Sequence, residues 1–337
     1  MNKVKLIRKI KKFFIISDLG TNVGLGHYSR SLVLTKEIKH YLKNKIKVLN
    51  YYFHWKNSKD LGIRSISKNK LNQYIIKKIG QHSPNVICFN VSRFLEPKLY
   101  DFIKLLKNKY PNIKLVAIDG FSKKTHLFKK IWIPNVTLKN KKDFKNKKII
   151  YGWDKILINK FKKKNKFQKK NKFQKTINIL FTTGGTDKYK IGEHLPRIAE
   201  KIFEKKIRLI WVQGPYASRP KILSLKRWTI LKDQTNLKLL YKKIDFAFVV
   251  FGVSFFEIIS QSIPCVLFFH KKKIEDIHLI NYLKKKSFDV TSNLETAVSI
   301  LNYKINNYKK SQSKAKKLKN KIKFKNRKKI IKDFIYE

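Results

Sequence analysis

The sequence predicts an α/β protein made of two doubly wound domains, and three observations predict it. Short apolar runs of strand length alternate with segments of helical period along most of the 337 residues. The alternation breaks once, at a lysine-rich repeat, and then restarts. A glycine loop follows the first apolar run on each side of that break. A chain of this length suits two cores better than one. Hydrophobic residues at 42%, with 24 Phe and 15 Tyr, supply enough apolar surface to fill both.

In the first half, strands are expected over 13–16, 46–52, 86–90, 115–118 and 131–133, with helices over 29–42, 69–79 and 97–109. Continuous apolar strands separated by helices read as a parallel sheet covered on both faces. Its ligand edge then lies outside the carboxyl ends of the strands, at Asn90, Asp119 and Asn135. Residues 1–159 form this domain, and the break follows at 160–175, where KNKFQK is repeated in tandem. A run so poor in large aliphatics buries little and reads as a linker. The second domain, 176–308, is expected to carry strands over 177–182, 207–213, 228–231, 246–250, 265–269 and 288–290. Its helices are expected over 191–203, 236–242, 254–261, 276–285 and 294–301. Residues 309–337 are dominated by lysine, with Leu318, Ile322, Ile330 and Phe334 at roughly helical spacing, and read as one basic terminal helix. Two such domains leave a cleft between them, where ligands commonly bind.

The first loop, DLGTNVGLGHYSR over 18–30, is the most concentrated signal in the chain. Only 12 glycines occur in 337 residues, yet Gly20, Gly24 and Gly26 fall inside it. Strand, glycine loop and helix together present backbone N–H groups and a positive helix end to an anion. Gly24, Gly26 and Arg30 are therefore candidate phosphate contacts, and His27 is a candidate proton-transfer group. A structural role for His27, holding the loop in shape, competes with that reading.

The second half has matching turns. Gly184, Gly185 and Thr186 follow its first strand, where two glycines and neighbouring hydroxyls suit a phosphate or diphosphate. Asp187 beside them fits a helix cap. Gly214 sits in a tight turn after the second strand, on the same edge. Gly252 and Ser254 stand where a later helix begins, and Glu257 lies one turn inside it, placed to accept from ribose hydroxyls. A glutamate in a first helical turn is also favourable simply through the helix dipole.

The formal net charge of +59 raises the question of nucleic acid. The excess is mostly Lys spread over every segment, whereas Arg, the bidentate reader of bases and phosphates, is sparse. A Lys/Asn/Ile-rich background explains that distribution better, so nucleic acid is not the expected partner. Peripheral contact with an anionic membrane fits the charge, and no stretch is long enough to span a bilayer. Cys88 and Cys265 each lie in an apolar strand-like run without metal-ligand spacing, as buried thiols of a reducing cytosol do. The N-terminal apolar run is too short for a signal-peptide core, so a cytoplasmic location is expected.

These motifs resemble a known family. GLGHYSR is similar to the GxGHxxR loop of the UDP-sugar hydrolase of the pseudaminic acid pathway and its spore-coat polysaccharide relatives. LFTTGGTD resembles the glycine loop opening that family's second domain, and FGVSFFEIISQSIPCVLFF its nucleotide-binding stretch. The resemblance covers roughly 13–290 and implies a MurG-like, GT-B architecture of two Rossmann-like domains facing a central cleft. It implies a UDP-sugar substrate held by the second domain, with Gly184, Gly185 and Thr186 near the diphosphate, Ser254 toward phosphate and Glu257 toward ribose. His27 takes the place of the base that activates water. Loop amides, a helix end and Arg30 supply the charge stabilisation, so neither a metal nor another cofactor is expected. The chain departs from the hydrolases at two loops facing the sugar: Asn90-Val91-Ser92 replaces an Asp-His-Tyr-like cluster, and Asp119 is followed by Gly120 rather than a second acid. Asn90 and Asp119 remain candidate sugar or acceptor contacts.

Three functions follow. The first is transfer of a sugar from a nucleotide-sugar to an acceptor in surface-polysaccharide biosynthesis. The second is hydrolysis of the same substrate. The third is a basic RNA- or membrane-associated protein that keeps a degenerate form of the fold.

Overall fold

The computed structural model describes residues 12–20, 23–42, 45–54, 65–67, 70–92, 95–138, 145–159, 176–224, 226–232, 237–270, 277–322 and 327–336. The chain divides into two compact units, 1–157 with 323–337, and 158–322. The lysine-rich repeat at 160–175 lies outside the described residues.

The first unit is a seven-stranded sheet in the order β3-β2-β1-β4-β5-β6-β7. Its strands are β1 (Lys12–Leu19), β2 (Lys47–His54), β3 (Ser65–Ser67), β4 (Val86–Asn90), β5 (Lys114–Ile118), β6 (Lys130–Trp132) and β7 (Ile149–Ile150). Every pairing is parallel. The alternation of β1 explains the layers. Phe14 and Ile16 enter one core with α2 (Leu71–His82) and α3 (Glu96–Lys109). Phe13 and Ile15 enter the opposite core with α1 (Gly26–Tyr41).

The second unit repeats this plan with six strands in the order β10-β9-β8-β11-β12-β13. They are β8 (Asn178–Thr182), β9 (Arg208–Gln213), β10 (Trp228–Lys232), β11 (Phe246–Val250), β12 (Cys265–Phe268) and β13 (Val290–Thr291), again all parallel. The helices are α4 (Ile191–Ile202), α5 (Val253–Ser260), α6 (Ile277–Lys285), α7 (Leu294–Asn306) and α8 (Tyr308–Lys319). The segment expected as a helix over 236–242 is described only from 237 and contains a single 3-10 turn, Leu240–Lys242.

The single basic terminal helix expected over 309–337 is instead two. α8 stays with the second unit, while α9 (Arg327–Tyr336) belongs to the first. The apolar spacing explains the difference. Ile330, Ile331, Phe334 and Ile335 make an unbroken stripe that joins Val33, Leu34, Ile38 and Trp132 in the α1-side core. Arg327, itself buried, donates to Glu37 Oε1 of α1 (2.8 Å) and to the carbonyl of Ile156 (2.9 Å).

Both sheets have one switch point, where successive strands stop building in one direction and start in the other. It lies between β1 and β4 in the first unit and between β8 and β11 in the second. At such points the loops at the carboxyl ends diverge to opposite faces and leave a crevice for a ligand. The glycine loops found in the sequence leave β1 and β8, and the Gly252 turn leaves β11, so all three fall at these crevices.

Candidate functional site

In the first unit, β1 carries two fully buried polar residues, Ser17 and Asp18, just before its last residue, Leu19. The chain turns through Gly20 and Gly24, whose backbones are bridged, with the Gly24 N–H donating to the Gly20 carbonyl at 2.7 Å. Gly24 has φ +75°, a conformation a side chain rarely allows. α1 then starts at Gly26, and no side chain caps its N-terminus. Its first turn carries His27 and, one turn on, Arg30.

His27 is held from several sides. Asn90, at the end of the neighbouring β4, donates from its amide nitrogen to the His27 carbonyl (2.7 Å) and to Ser31 Oγ (2.8 Å). Those two bonds fix the orientation of the Asn90 amide, so Oδ1 faces His27 Nδ1 at 3.0 Å. Facing an acceptor, Nδ1 must carry the proton, and Nε2 keeps its lone pair. Arg30 Nη2 lies 3.0 Å from Nδ1 and 3.4 Å from Nε2, nearly equidistant, so it rests against the ring rather than on one nitrogen. The same Nη2 donates to Asp119 Oδ2 at 2.8 Å. Asp119 follows β5 at φ +75°. Asp18 Oδ1 stands 4.0 Å from His27 Nδ1 and accepts the Ser92 N–H at 2.9 Å, with the Ser92 hydroxyl on Oδ2.

Burial and the Arg30 charge lower the His27 pKa below its ordinary value, against Asp18, Asp119 and the Asn90 bond, which raise it. The imidazole is therefore neutral near pH 7, with Nε2 ready to accept a proton. Arg30, read from the sequence as a phosphate contact, spends one nitrogen on Asp119 and the face of His27. It adds to burial in lowering the His27 pKa.

In the second unit the loop after β8 has Gly184 at φ +86°, exposed, followed by Gly185 and Thr186, both partly exposed. The turn after β9 packs directly on it: Tyr216 N–H donates to the Gly185 carbonyl at 3.0 Å. A Cβ on Gly214 would stand 2.2 Å from the Gly184 carbonyl oxygen, so the two turns approach as closely as backbone allows. Gly214 is thus demanded by packing between turns.

The starts of α4 and α5 differ. Asp187 accepts from the N–H groups of Ile191 (3.0 Å) and Gly192 (2.8 Å), occupying the N-terminus of α4 with the protein's own carboxylate. Burial raises the Asp187 pKa, partly countered by those two bonds. α5 begins after Gly252 with no side-chain cap, and no atom stands within 4 Å of the Gly252 Cβ position. An uncapped helix start of this kind presents backbone N–H groups that can accept an anion. Glu257 receives the hydroxyl of Tyr241 at 3.0 Å, and Ser254 and Asn159 complete the same hydrogen-bonded set.

The structure therefore brings together His27, Arg30, Asn90 and Asp119 in one unit, with Gly24 and Gly26 where the loop enters α1. In the other it groups Gly184, Gly185, Thr186 and Gly214 at one double turn, and Gly252, Ser254 and Glu257 at the start of α5. Sequence reading missed Asp18, Ser31 and Ser92 around His27, and Tyr241 and Asn159 around Glu257. Asp18 and Ser92 did carry a signal, being polar residues at the ends of apolar strands. Among the described residues no group of three or more His, Cys, Asp or Glu side chains is gathered as a metal site requires. Nor is any helix among them long and apolar enough to cross a membrane.

No family model matches the chain. A curated relative, the uncharacterized protein MJ1062 of Methanocaldococcus jannaschii, is 27% identical over 301 residues, 82% of this chain and 59% of the relative. The chain thus spans well under two thirds of the length of the protein it matches. Among solved structures it is similar to MurG of Acinetobacter baumannii, with TM-score 0.57, 13% identity and coverage of 96% of this chain and 99% of that one. A UDP-GlcNAc 2-epimerase from Neisseria meningitidis bound to UDP-GlcNAc gives 0.59 at 13% identity, covering 95% and 98%. Arabidopsis thaliana UGT89C1 complexed with UDP-L-rhamnose gives 0.61 at 12%, covering 97% and 100%. With two parallel, doubly wound units of matching topology, the chain has the GT-B fold of two Rossmann-like domains.

Proposed function

We propose that the protein is a nucleotide-sugar-dependent glycosyl-transfer enzyme that takes a UDP-sugar. The observation that carries this reading is a neutral, oriented base at one switch point and an uncapped helix start at the equivalent place in the other unit. His27, with Nδ1 tied to Asn90 Oδ1 (3.0 Å), is poised to act through Nε2. Its neighbours in the GxGHxxR-like loop support the same role by resemblance. The α5 start at Gly252 and Ser254, with the Gly184–Gly185–Thr186 loop, suits a diphosphate, and Glu257 suits a ribose.

In this reading His27 Nε2 takes the proton from an attacking hydroxyl whose oxygen bonds to the anomeric carbon. The bond from that carbon to the diphosphate oxygen breaks, and UDP leaves with the electron pair. Backbone N–H groups and the α5 dipole offset the charge that develops on the departing diphosphate. No metal or other cofactor enters the step. Arg30 keeps the imidazole unprotonated, and Asp119 holds Arg30 in place.

The acceptor is a sugar or lipid-linked hydroxyl of surface-polysaccharide synthesis in the leading reading. In the second, favoured by the likeness of GLGHYSR to the hydrolase loop, it is water. The net charge of +59 supports peripheral contact with an anionic membrane surface. Incubating the protein with a panel of UDP-sugars, with and without EDTA, tests the proposal. UDP release without an acceptor selects hydrolysis, and release only with a polyprenyl or saccharide acceptor selects transfer. No UDP release or binding under any condition, with salt-sensitive RNA binding instead, would refute both.

A further inference from the structure

We infer that Tyr241 is a positioning residue of the nucleotide site: its hydroxyl orients Glu257 and Ser254 at the start of α5 and favours the carboxylate form of Glu257, and so sets the pH above which the ligand binds. The inference rests on the reading above for the ligand, while its structural part stands on the side chains alone.

Ser254, on the first turn of α5, and Glu257, at the start of the second, are three residues apart and share one face of the helix. Tyr241 comes from the 3-10 turn Leu240–Lys242 that precedes β11, and is 1% exposed. Its hydroxyl meets both residues, donating to Glu257 Oε2 at 3.0 Å and accepting from Ser254. A buried phenol in this position serves no packing need that phenylalanine would not meet, and its oxygen is retained at a desolvation cost that the two bonds offset. Asn159 supplies a further bond to Glu257. The groups acting on the carboxylate are thus Tyr241 and Asn159, both neutral. Among the described residues no cation acts on it. Glu257 nevertheless remains partly open to solvent, as a ligand contact requires.

The consequence is a carboxylate balanced near neutrality. Burial pushes the Glu257 pKa up to about 7, and the bonds from Tyr241 and Asn159 restrain the rise. Only the ionised form accepts hydrogen bonds from both hydroxyls of a ribose, so affinity should climb as pH rises through 7 and level off above it. Deleting the Tyr241 hydroxyl removes a bond that favours the ionised form. Titration then moves alkaline.

The test is calorimetric binding of UDP-N-acetylglucosamine between pH 5.5 and 9, in the full chain carrying His27→Ala to stop turnover. This ligand is a diphosphate diester and does not itself titrate near neutrality. Without further change, affinity should rise through pH 7. Tyr241→Phe should weaken binding about fivefold at pH 7 and less than about twofold at pH 9, as a displacement of about one pH unit requires. Glu257→Gln should flatten the profile. An equal loss at every pH in Tyr241→Phe, or a profile kept in Glu257→Gln, overturns the inference. If none of the proteins binds at any pH, the proposed function fails. The inference is then decided by infrared titration of the Glu257 carboxyl, identified by its loss in Glu257→Gln. Its midpoint must lie higher in Tyr241→Phe, and an unchanged midpoint overturns the inference.

Discussion

Asn90→Asp isolates what the environment of His27 does. The substitution preserves shape and leaves an oxygen to face Nδ1, where the amide oxygen now stands at 3.0 Å, while the amide donor to the His27 carbonyl and Ser31 Oγ becomes a second acceptor. It changes a dipole into a full negative charge beside a buried ring. In the native protein burial and Arg30 hold the His27 pKa below its ordinary value, which favours the neutral ring at pH 7. A carboxylate within about 4–6 Å of a titratable group typically moves it by 1–3 pH units toward the charged form. At 3.0 Å the effect belongs in the upper part of that range, with the Arg30–Asp119 pair screening part of it. The sign follows directly. The introduced carboxylate would favour imidazolium, and a protonated His27 cannot take a proton. The acid limb of UDP release should therefore move alkaline by about one to three pH units, with activity recovered above it. The assay is the pH profile of UDP release, paired with imidazole nitrogen NMR of the protein. Native protein should show a neutral ring protonated at Nδ1, and the variant an imidazolium at pH 7. An acid limb that stays in place, together with a ring that remains neutral, would refute the assigned tautomer and charge balance.

Other outcomes are equally specific. Gly214→Ala forces a Cβ to within 2.2 Å of the Gly184 carbonyl oxygen and 2.6 Å of Gly185 backbone, neither of which can yield as a side chain can. Denaturant unfolding should report a loss of at least about 1–3 kcal/mol. Asp187→Ala strips the two bonds that cap α4 and should cost about 0.5–2 kcal/mol in the same measurement, while leaving the α5 anion site intact. Arg327→Ala strips the buried Glu37 carboxyl of its Arg327 partner, for a loss of about 3–5 kcal/mol, whereas Glu37→Leu combined with Arg327→Met should recover most of it. Equal instability of the single and double variants would show that α9 is held by more than that pair and its apolar stripe.

How legible all this was depends on which forces set each element. The apolar strands are long, continuous and buried on both sides, so β1, β4 and β11 stand out as sequence. β3 and β7, three and two residues long, carry too short a pattern to register. α9 was hidden by composition: its lysines dilute the mean hydropathy, and only the positions of Ile330, Ile331, Phe334 and Ile335 reveal the buried stripe. His27, Asn90 and Asp119 could be grouped because the parallel-sheet rule places the ends of β1, β4 and β5 on one edge. The particular partners could not. That Arg30 turns to Asp119, 89 positions away, depends on a positive-φ bend no local signal announces. Tyr241 likewise sits 16 residues from Glu257, in a segment whose pattern suggested only an ordinary helix. Asp187 was readable as a cap, and the geometry shows how completely it fills the end of α4.

Side-by-side measurement of turnover and UDP affinity in native protein and His27→Ala bears most directly on the account. Turnover of the UDP-sugar should fall by about 10²–10⁴-fold, the usual worth of a positioned base, while UDP affinity stays within about twofold. Undiminished turnover, or turnover and affinity lost together, would contradict it.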